Sequence, residues 1–306
     1  MPRQIGRLRA GVEMAALALP WAALRALPLE RAVRLGAAVG ALAPVVDRAN
    51  RRIAMRNLAI AFPDYAHARR IRLLRETYRN FGRMAAEWIH FFDLDRANIE
   101  RYVTYSGLAY WREALRISGG RGILILTGHF GNFELLSGAH SVYGNRCAIV
   151  QRPNRNPLLD AAVTARRERF GNRAISRRGG ARAVLRLLRE DWMVAIPLDL
   201  DTRNGVFADF FGLPAATSDA LARIAMATGA PVLPAFMLRE GTSPRHRITF
   251  LPVIDLVRTE DRATAVRENT QRFTTVIESM VRGHPDHWNW IHRRWKTRPA
   301  GEPRIY

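Results

Sequence analysis

The stretch "ILILTGHFGNFELL", residues 123–136, decides how the chain is read. Its opening run, up to Thr127, has the composition of a strand buried on both faces. The run stops at Gly128, presents His129, and passes near Asn132 into what reads as a helix with Glu134 in its first turn. On one continuous helix, positions 129 and 134 would lie about 140° apart, at roughly 100° per residue. With His129 in the preceding turn instead, a carboxylate in the first helical turn can point back at it. A carboxylate on one ring nitrogen fixes the tautomer and leaves the other nitrogen as a base. Gly128 and Gly131 flank the turn and let backbone approach a ligand closely. The amides around Gly131 and Asn132 lead into a helix N-terminus, which suits an anion or a developing oxyanion.

Outward from this turn, apolar strands alternate with helices. The predicted strands are "GILILT", "RCAIVQ", "WMVAIPLD", "APVLPAFML" and "HRITFLPVI". Between them, "NPLLDAAVTARRERF", "GGARAVLRLLRED" and "SDALARIAMATG" read as helices. This order predicts an α/β fold with a mostly parallel central sheet flanked by helices. Ligands in such sheets bind beyond the carboxyl ends of the strands, where His129 stands. Residues 1 to about 100 read as helical, with a stop at Phe62-Pro63 and a new helix carrying Ile71, Leu74, Tyr78 and Phe81 on one face. The expected division is a helical N-terminal region, 1–100, and an α/β domain, 101–306.

Composition bounds the function. The chain has 306 residues, 48% of them hydrophobic, enough for a packed core. Its 48 basic and 27 acidic residues give a net charge of +21, nearly all of it arginine because Lys296 is the only lysine. The bias toward arginine follows base composition; the sign of the charge favours anionic partners. Cys147 stands alone, which excludes an internal disulfide and a cysteine-rich metal site. The segment at about 8–46 is apolar but broken by Pro20 and Arg25, with Glu30, Arg31 and Arg34 close behind. A spanning helix needs about 20 unbroken apolar residues. Two short arginine-flanked helices are better suited to lying in the membrane interface.

No serine or cysteine nucleophile accompanies the His–Glu pair, and no G-x-S-x-G elbow occurs. A base without a protein nucleophile implies that a hydroxyl of the substrate attacks. "GHFGNFE" resembles the H-x4-E motif of the late acyltransferases of lipid A biosynthesis. These form the lauroyl/myristoyl branch of the lysophospholipid-acyltransferase-like superfamily. "NLAIAFPD" (57–64), "QRPNRNPLLD" (151–160), "RRERFG" (166–171), "PLDLDTRNGVFADFFGLPAATSDALARIAMATGAPVLPAF" (197–236) and "HPDHWNWIHRRWK" (284–296) are similar to that family in the expected order. Phe133 departs from it, standing where tryptophan is frequent.

The resemblance implies acyl transfer from an acyl carrier protein thioester to a hydroxyl of a phosphorylated glycolipid, a lipid A precursor, with no metal or organic cofactor. It implies a bacterial inner-membrane location with the catalytic domain facing the cytoplasm, on an anionic membrane surface. His129 is then the general base and Glu134 its orienter. Gly131 and Asn132 are expected at the oxyanion. Arg152, Asn156, Arg167 and Arg169 are expected at the acceptor's phosphates, where guanidinium groups bind bidentately. Arg166, Arg177, Arg178 and Arg182 are read as field rather than contact. Asp199 is read as an organiser of nearby arginine or backbone rather than a metal ligand, despite the Asp199-x-Asp201 spacing.

Two superficial matches are set aside. "REGTS" (239–243) resembles a phosphate-binding block of glycerol-phosphate acyltransferases but follows "TGAPVLP" instead of preceding it, so it is read as a hairpin turn. His284, His287 and His292 have loose metal-like spacing, but Trp288, Trp290 and Trp295 interleave them, which favours packing or headgroup contact over zinc. Two other functions remain open. One is the same chemistry on another glycolipid or a lysophospholipid. The other is a basic, non-catalytic membrane- or nucleic-acid-binding protein, although no nucleic-acid motif is visible and no nucleic-acid partner is expected.

Overall fold

The computed structural model describes residues 5–151, 153–176 and 179–306. Four helices open the chain: α1 (Arg7–Arg25), α2 (Leu29–Val46), α3 (Arg48–Ala61) and α4 (His67–His90). Then come β1 (Val103–Ser106), α5 (Leu108–Ser118), β2 (Ile123–Thr127), α6 (Phe133–Val142), β3 (Cys147–Gln151), α7 (Pro157–Glu168), β4 (Arg173–Ser176), α8 (Gly180–Arg189) and β5 (Met193–Pro197). A hairpin of β6 (Val206–Phe210) and β7 (Leu213–Thr217) precedes α9 (Ala220–Thr228), β8 (Val232–Arg239), β9 (His246–Phe250) and α10 (Arg262–Gly283).

Seven strands form one sheet in the order β1-β9-β8-β2-β5-β3-β4. Every neighbouring pair is parallel except β8 and β9, which are antiparallel. The fold is therefore α/β with a mostly parallel sheet. The central strand β2 is buried at every position because α5 and α6 on one side and α9 on the other leave neither face to solvent. Local chemistry sets the helix ends. Asn132 and Asn156 cap α6 and α7 through their side chains, Pro157 opens α7, and Asp261 caps α10. "REGTS" lies at the β8–β9 hairpin turn, away from any helix N-terminus.

α3 and α4 share the sheet's core, while Ala32, Val33 and Ala86 form a small cluster of their own between α2 and α4. Leu58, Leu74 and Tyr78 belong to the same buried cluster as Leu124, Phe236 and Trp290. α2 lies across α4 at a crossing permitted by glycine. A Cβ on Gly36 would come within 2.3 Å of the Gly82 carbonyl oxygen, and one on Gly82 within 1.9 Å of the Gly36 carbonyl oxygen. With Ala32, Val33 and Gly40 turned inward, α2 leaves Leu35, Val39, Leu42, Val45 and Val46 exposed on its outer side. No described helix is long and apolar enough to cross a membrane.

Gly82→Ala is expected to force α2 and α4 apart and to destabilise the protein by about 1–3 kcal/mol, the usual range for overpacking. Thermal denaturation of the variant checks this; an unchanged midpoint would mean the crossing is not close-packed.

Candidate active site

β2 and β5 run parallel with Thr127 opposite Pro197, so the chain leaves both strands at the same edge of the sheet. Two residues beyond each strand stand His129 and Asp199, and they meet. His129 Nδ1 lies 2.9 Å from Asp199 Oδ1, and the His129 backbone N–H donates to Asp199 Oδ2 at 2.7 Å. Trp288 Nε1 donates to the same Oδ2 at 2.9 Å. The Asp199 side chain is 1% exposed and that of His129 is 23% exposed.

Electrostatics assigns the tautomer. Burial pushes the Asp199 carboxyl up, but His129 and the donors around it outweigh burial and hold it at about 2. An ionised carboxylate only accepts hydrogen bonds, so in the neutral ring Nδ1 carries the proton and Nε2 keeps its lone pair. Burial also disfavours the imidazolium of His129. The Asp199 charge and, at longer range, that of Glu134 win, and the His129 pKa lies above its ordinary value.

Glu134 is not the orienter that the sequence suggests. Its carboxylate accepts from Arg167 Nε at 3.0 Å and Nη2 at 2.5 Å, a bidentate pair. Arg167 also donates through Nη1 to Gln151. From the second position of α6, Glu134 points at α7 rather than back into the turn, and it reaches the imidazole only through its charge. Asp199 takes the His129 backbone N–H, as an organiser of backbone would, and holds the ring as well, while Glu134 holds the arginine.

Other expected site residues are placed differently as well. The Gly131 amide donates to the His287 carbonyl oxygen at 2.8 Å and so is not open to an oxyanion. Gly131 has φ +57°, and a Cβ there would sit 1.7 Å from the Met237 carbonyl oxygen, so its bareness admits β8 rather than a ligand. Asn132 is buried, with Oδ1 capping Leu135 N and Nδ2 donating to Glu87 at 2.7 Å. Asn156 is also buried. It caps α7 and donates to the Ala10 carbonyl oxygen and to Glu13, which removes it from the acceptor's reach. Arg167 is taken by Glu134, so it is no simple phosphate ligand. Arg169 is exposed at the end of α7. Arg152, Arg177 and Arg178 lie outside the described residues. Arg166, read as field, is packed between Trp21 and Trp88, its Cζ 4.1 Å and 4.2 Å from the two rings.

The 284–296 segment packs rather than facing headgroups: Trp288, Trp290 and Trp295 are fully buried. It frames the turn from below, since Asn289 N donates to the His129 carbonyl oxygen at 3.2 Å. Asp201 does not pair with Asp199. It accepts from Thr297 N and Oγ1 at 2.9 and 3.0 Å, tying down the chain's end. Among the described residues, no cluster of three or more His, Cys, Asp or Glu is arranged to hold a metal. Cys147 is buried and its thiol is pushed up to about 12 by burial. Through Met193 it is level with Ile123, at the far end of the sheet from His129. An apolar cavity of ≈ 30 Å³ between α6 and the sheet, lined in part by Leu136, His140 and Met193, holds about one water and is too small for a fatty chain. The sequence reading missed Glu87 and Arg239, buried against the turn. The signal for Glu87 was an acid set among apolar residues in "MAAEWIHFF".

Known proteins are similar to this chain over most of its length. The family model described as bacterial lipid A biosynthesis acyltransferase matches residues 7–297. The chain is 29% identical over 285 residues to the lipid A biosynthesis lauroyltransferase of Escherichia coli K12, covering 92% of this chain and 90% of that protein. It is 26% identical over 275 residues to that organism's lipid A biosynthesis palmitoleoyltransferase, covering 89% and 87%. A lipid A biosynthesis acyltransferase of Haemophilus influenzae is 28% identical over 294 residues, covering 94% and 91%.

His129 is expected to titrate above the ordinary histidine value of about 6.5. Its folded pKa is raised, so the pair's contribution to stability is full below that ordinary value and declines as pH rises through the folded one. Asp199→Asn should lower the His129 pKa and lose most stability, relative to wild type, at mildly acidic pH. Ring NMR titration and melting curves against pH check both; an unmoved titration would show that the carboxylate does not govern the ring.

Proposed function

The chain belongs to the bacterial lipid A biosynthesis acyltransferase family and is an acyltransferase, and on that footing we propose its substrates, its base and its seat on the membrane. The acyl donor is an acyl carrier protein thioester. The acceptor is a hydroxyl of a phosphorylated lipid A precursor. The observation that carries the mechanism is the His129 ring with Nδ1 held by Asp199. Nε2 takes the proton of the acceptor hydroxyl as its oxygen attacks the thioester carbonyl, and Asp199 stabilises the imidazolium that forms. The thiol leaves with a proton returned by the same ring.

Glu134 adds a second charge that favours the imidazolium, and Arg167 beside it works against that charge. The first amides of α6, which a helix leaves without internal acceptors, are oriented toward developing charge on the carbonyl oxygen. With Gly131 engaged by His287, that role falls to Asn132 and the residues just after it. Exposed arginines such as Arg169, together with the +21 net charge, attract the acidic carrier protein and the acceptor's phosphates.

The apolar outer side of α2 and the exposed Leu8, Val12 and Leu19 of α1 suit a helix pair lying in the bilayer interface. We assign this seat to the cytoplasmic face of the inner membrane, where carrier protein and anionic lipid are both available.

In purified enzyme supplied with acyl carrier thioesters and a panel of lipid acceptors, His129→Ala is expected to lower turnover by at least about 10²–10⁴-fold while leaving the fold intact. Mass spectrometry of the lipids identifies the acceptor. Acylation retained by the folded variant would overturn His129 as the base, and transfer only to lysophospholipids would overturn the acceptor. Leu42→Asp with Val46→Asp is expected to move the protein from vesicle-bound to free in flotation; unchanged flotation would remove the seat from α2.

A further inference from the structure

Beneath the reactive turn lies a buried ionic cluster that the mechanism above does not use. Glu87 of α4 and Arg239 at the end of β8 are 5% and 4% exposed at their side chains. They form a bidentate pair, with Arg239 Nη2 donating to Glu87 Oε2 at 2.7 Å and Nη1 donating to Oε1. His246 Nε2 lies 3.1 Å from the same Oε1. Burial pushes the Glu87 carboxyl up, but His246 and Arg239 outweigh it and hold the group low. Because burial pushes His246 itself toward the neutral ring, Arg239 is the standing countercharge. A buried ion pair is a poor source of stability, since apolar residues of similar size often do as well. Its geometry explains its presence better.

We propose that Glu87 is a positioning residue for acyl transfer, acting through the Asn132 side chain to fix the turn that carries His129 and Glu134, with Arg239 as its countercharge. This rests on the reading of His129 as the base. Asn132 has an amide with two distinct ends. Its Nδ2 donates to Glu87 Oε2 at 2.7 Å, and its Oδ1 accepts from Leu135 N at 3.1 Å. A carboxylate cannot donate, so Glu87 forces the NH₂ end toward itself and the oxygen toward the helix. That orientation makes Asn132 an N-cap, and the cap sets the first turn of α6, from which Glu134 reaches Arg167.

Arg239 serves the turn a second time through its backbone. Its N–H donates to His287 Nε2 at 3.3 Å, and the His287 carbonyl accepts from Gly131 N at 2.8 Å. His129 is tied by Asp199, Gly131 by His287, and Asn132 by Glu87. Glu87 is the tether from α4, 42 positions before the base. Reacting groups need placing to within a fraction of an ångström, and misplacement by about 1 Å costs on the order of 10²-fold in rate.

The deciding variant is Asn132→Ser. Serine still caps a helix but has no donor placed for Glu87. It should melt near wild type while kcat falls by about 10–10²-fold, with KM for both substrates little changed. Adding Glu87→Gln to Asn132→Ser should lower kcat no further, because the tether is already cut, although Glu87→Gln alone lowers it. Asn132→Asp, which keeps the cap and sets a second carboxylate against Glu87, should be slower than Asn132→Ser. This comparison decides the matter even if Glu87→Gln does not fold. Wild-type kcat in Asn132→Ser, or losses from the two substitutions that multiply, would overturn the proposal while leaving His129 as the base. A folded, active His129→Ala, measured in parallel, would overturn both.

Discussion

Asp199 is 1% exposed at the end of β5, and its two oxygens accept from the His129 ring, the His129 backbone and the Trp288 indole. Those donors come from two distant parts of the chain, so the carboxylate joins its own strand end to the turn that carries His129 and to the C-terminal segment. The burial of a charge is costly unless it is paired and hydrogen-bonded, and here every partner is also part of the site's frame. The same contacts that keep Asp199 ionised fix the histidine's tautomer. Stability of the turn and basicity at Nε2 are therefore one physical fact seen from two sides.

The frame around that carboxylate is built largely by the chain's two ends. Asn57, fully buried in α3, donates to the carbonyl oxygens of Trp290 and His292, each at 2.7 Å. Arg294, also buried, reaches the Ala216 carbonyl at 2.8 Å and Thr217 Oγ1 at 2.6 Å, which fastens the β6–β7 hairpin to the same segment. These contacts, with the Phe130–Trp288 bridge, hold the segment that presents Trp288 to Asp199. The ordered likeness of 57–64, 197–236 and 284–296 to one family then has a structural meaning: the three stretches meet at a single place.

Much of this was legible in the sequence, and the misses have physical causes. The five strands read from apolar runs all formed, because central parallel strands are apolar on both faces and short. β1, β4 and the β6–β7 hairpin escaped notice: "VTYS" and "RAIS" lie at the sheet's edges, where one or both faces are wet and the apolar signal fades. His129 was visible as a polar residue at the end of a buried strand. Its partner was not, because Glu134 is near in sequence whereas Asp199 is near in space, and only the parallel register of β2 and β5 brings strand ends together. Asn156 looked like a ligand from its place after a strand near the site, but its side chain caps α7. Glu87 and Arg239 are 152 residues apart, so their pairing left no local pattern to read.

α7 connects the proposed membrane seat to Glu134. Its N-cap, Asn156, donates to the Ala10 carbonyl at 3.2 Å and to Glu13 at 3.0 Å, both on α1. Near its other end Arg166 stacks between Trp21 of α1 and Trp88 of α4 and donates to the Trp88 carbonyl at 2.5 Å. Cation–π contacts strengthen as water is excluded, and the half-buried setting of this sandwich favours it. The next residue, Arg167, projects roughly 100° around the helix and grips Glu134. Adjacent arginines thus divide the labour, one fixing α7 to the N-terminal helices and the other fixing Glu134 to α7. The apolar helices at the start of the chain and Glu134 are therefore both fastened to a single helix, α7.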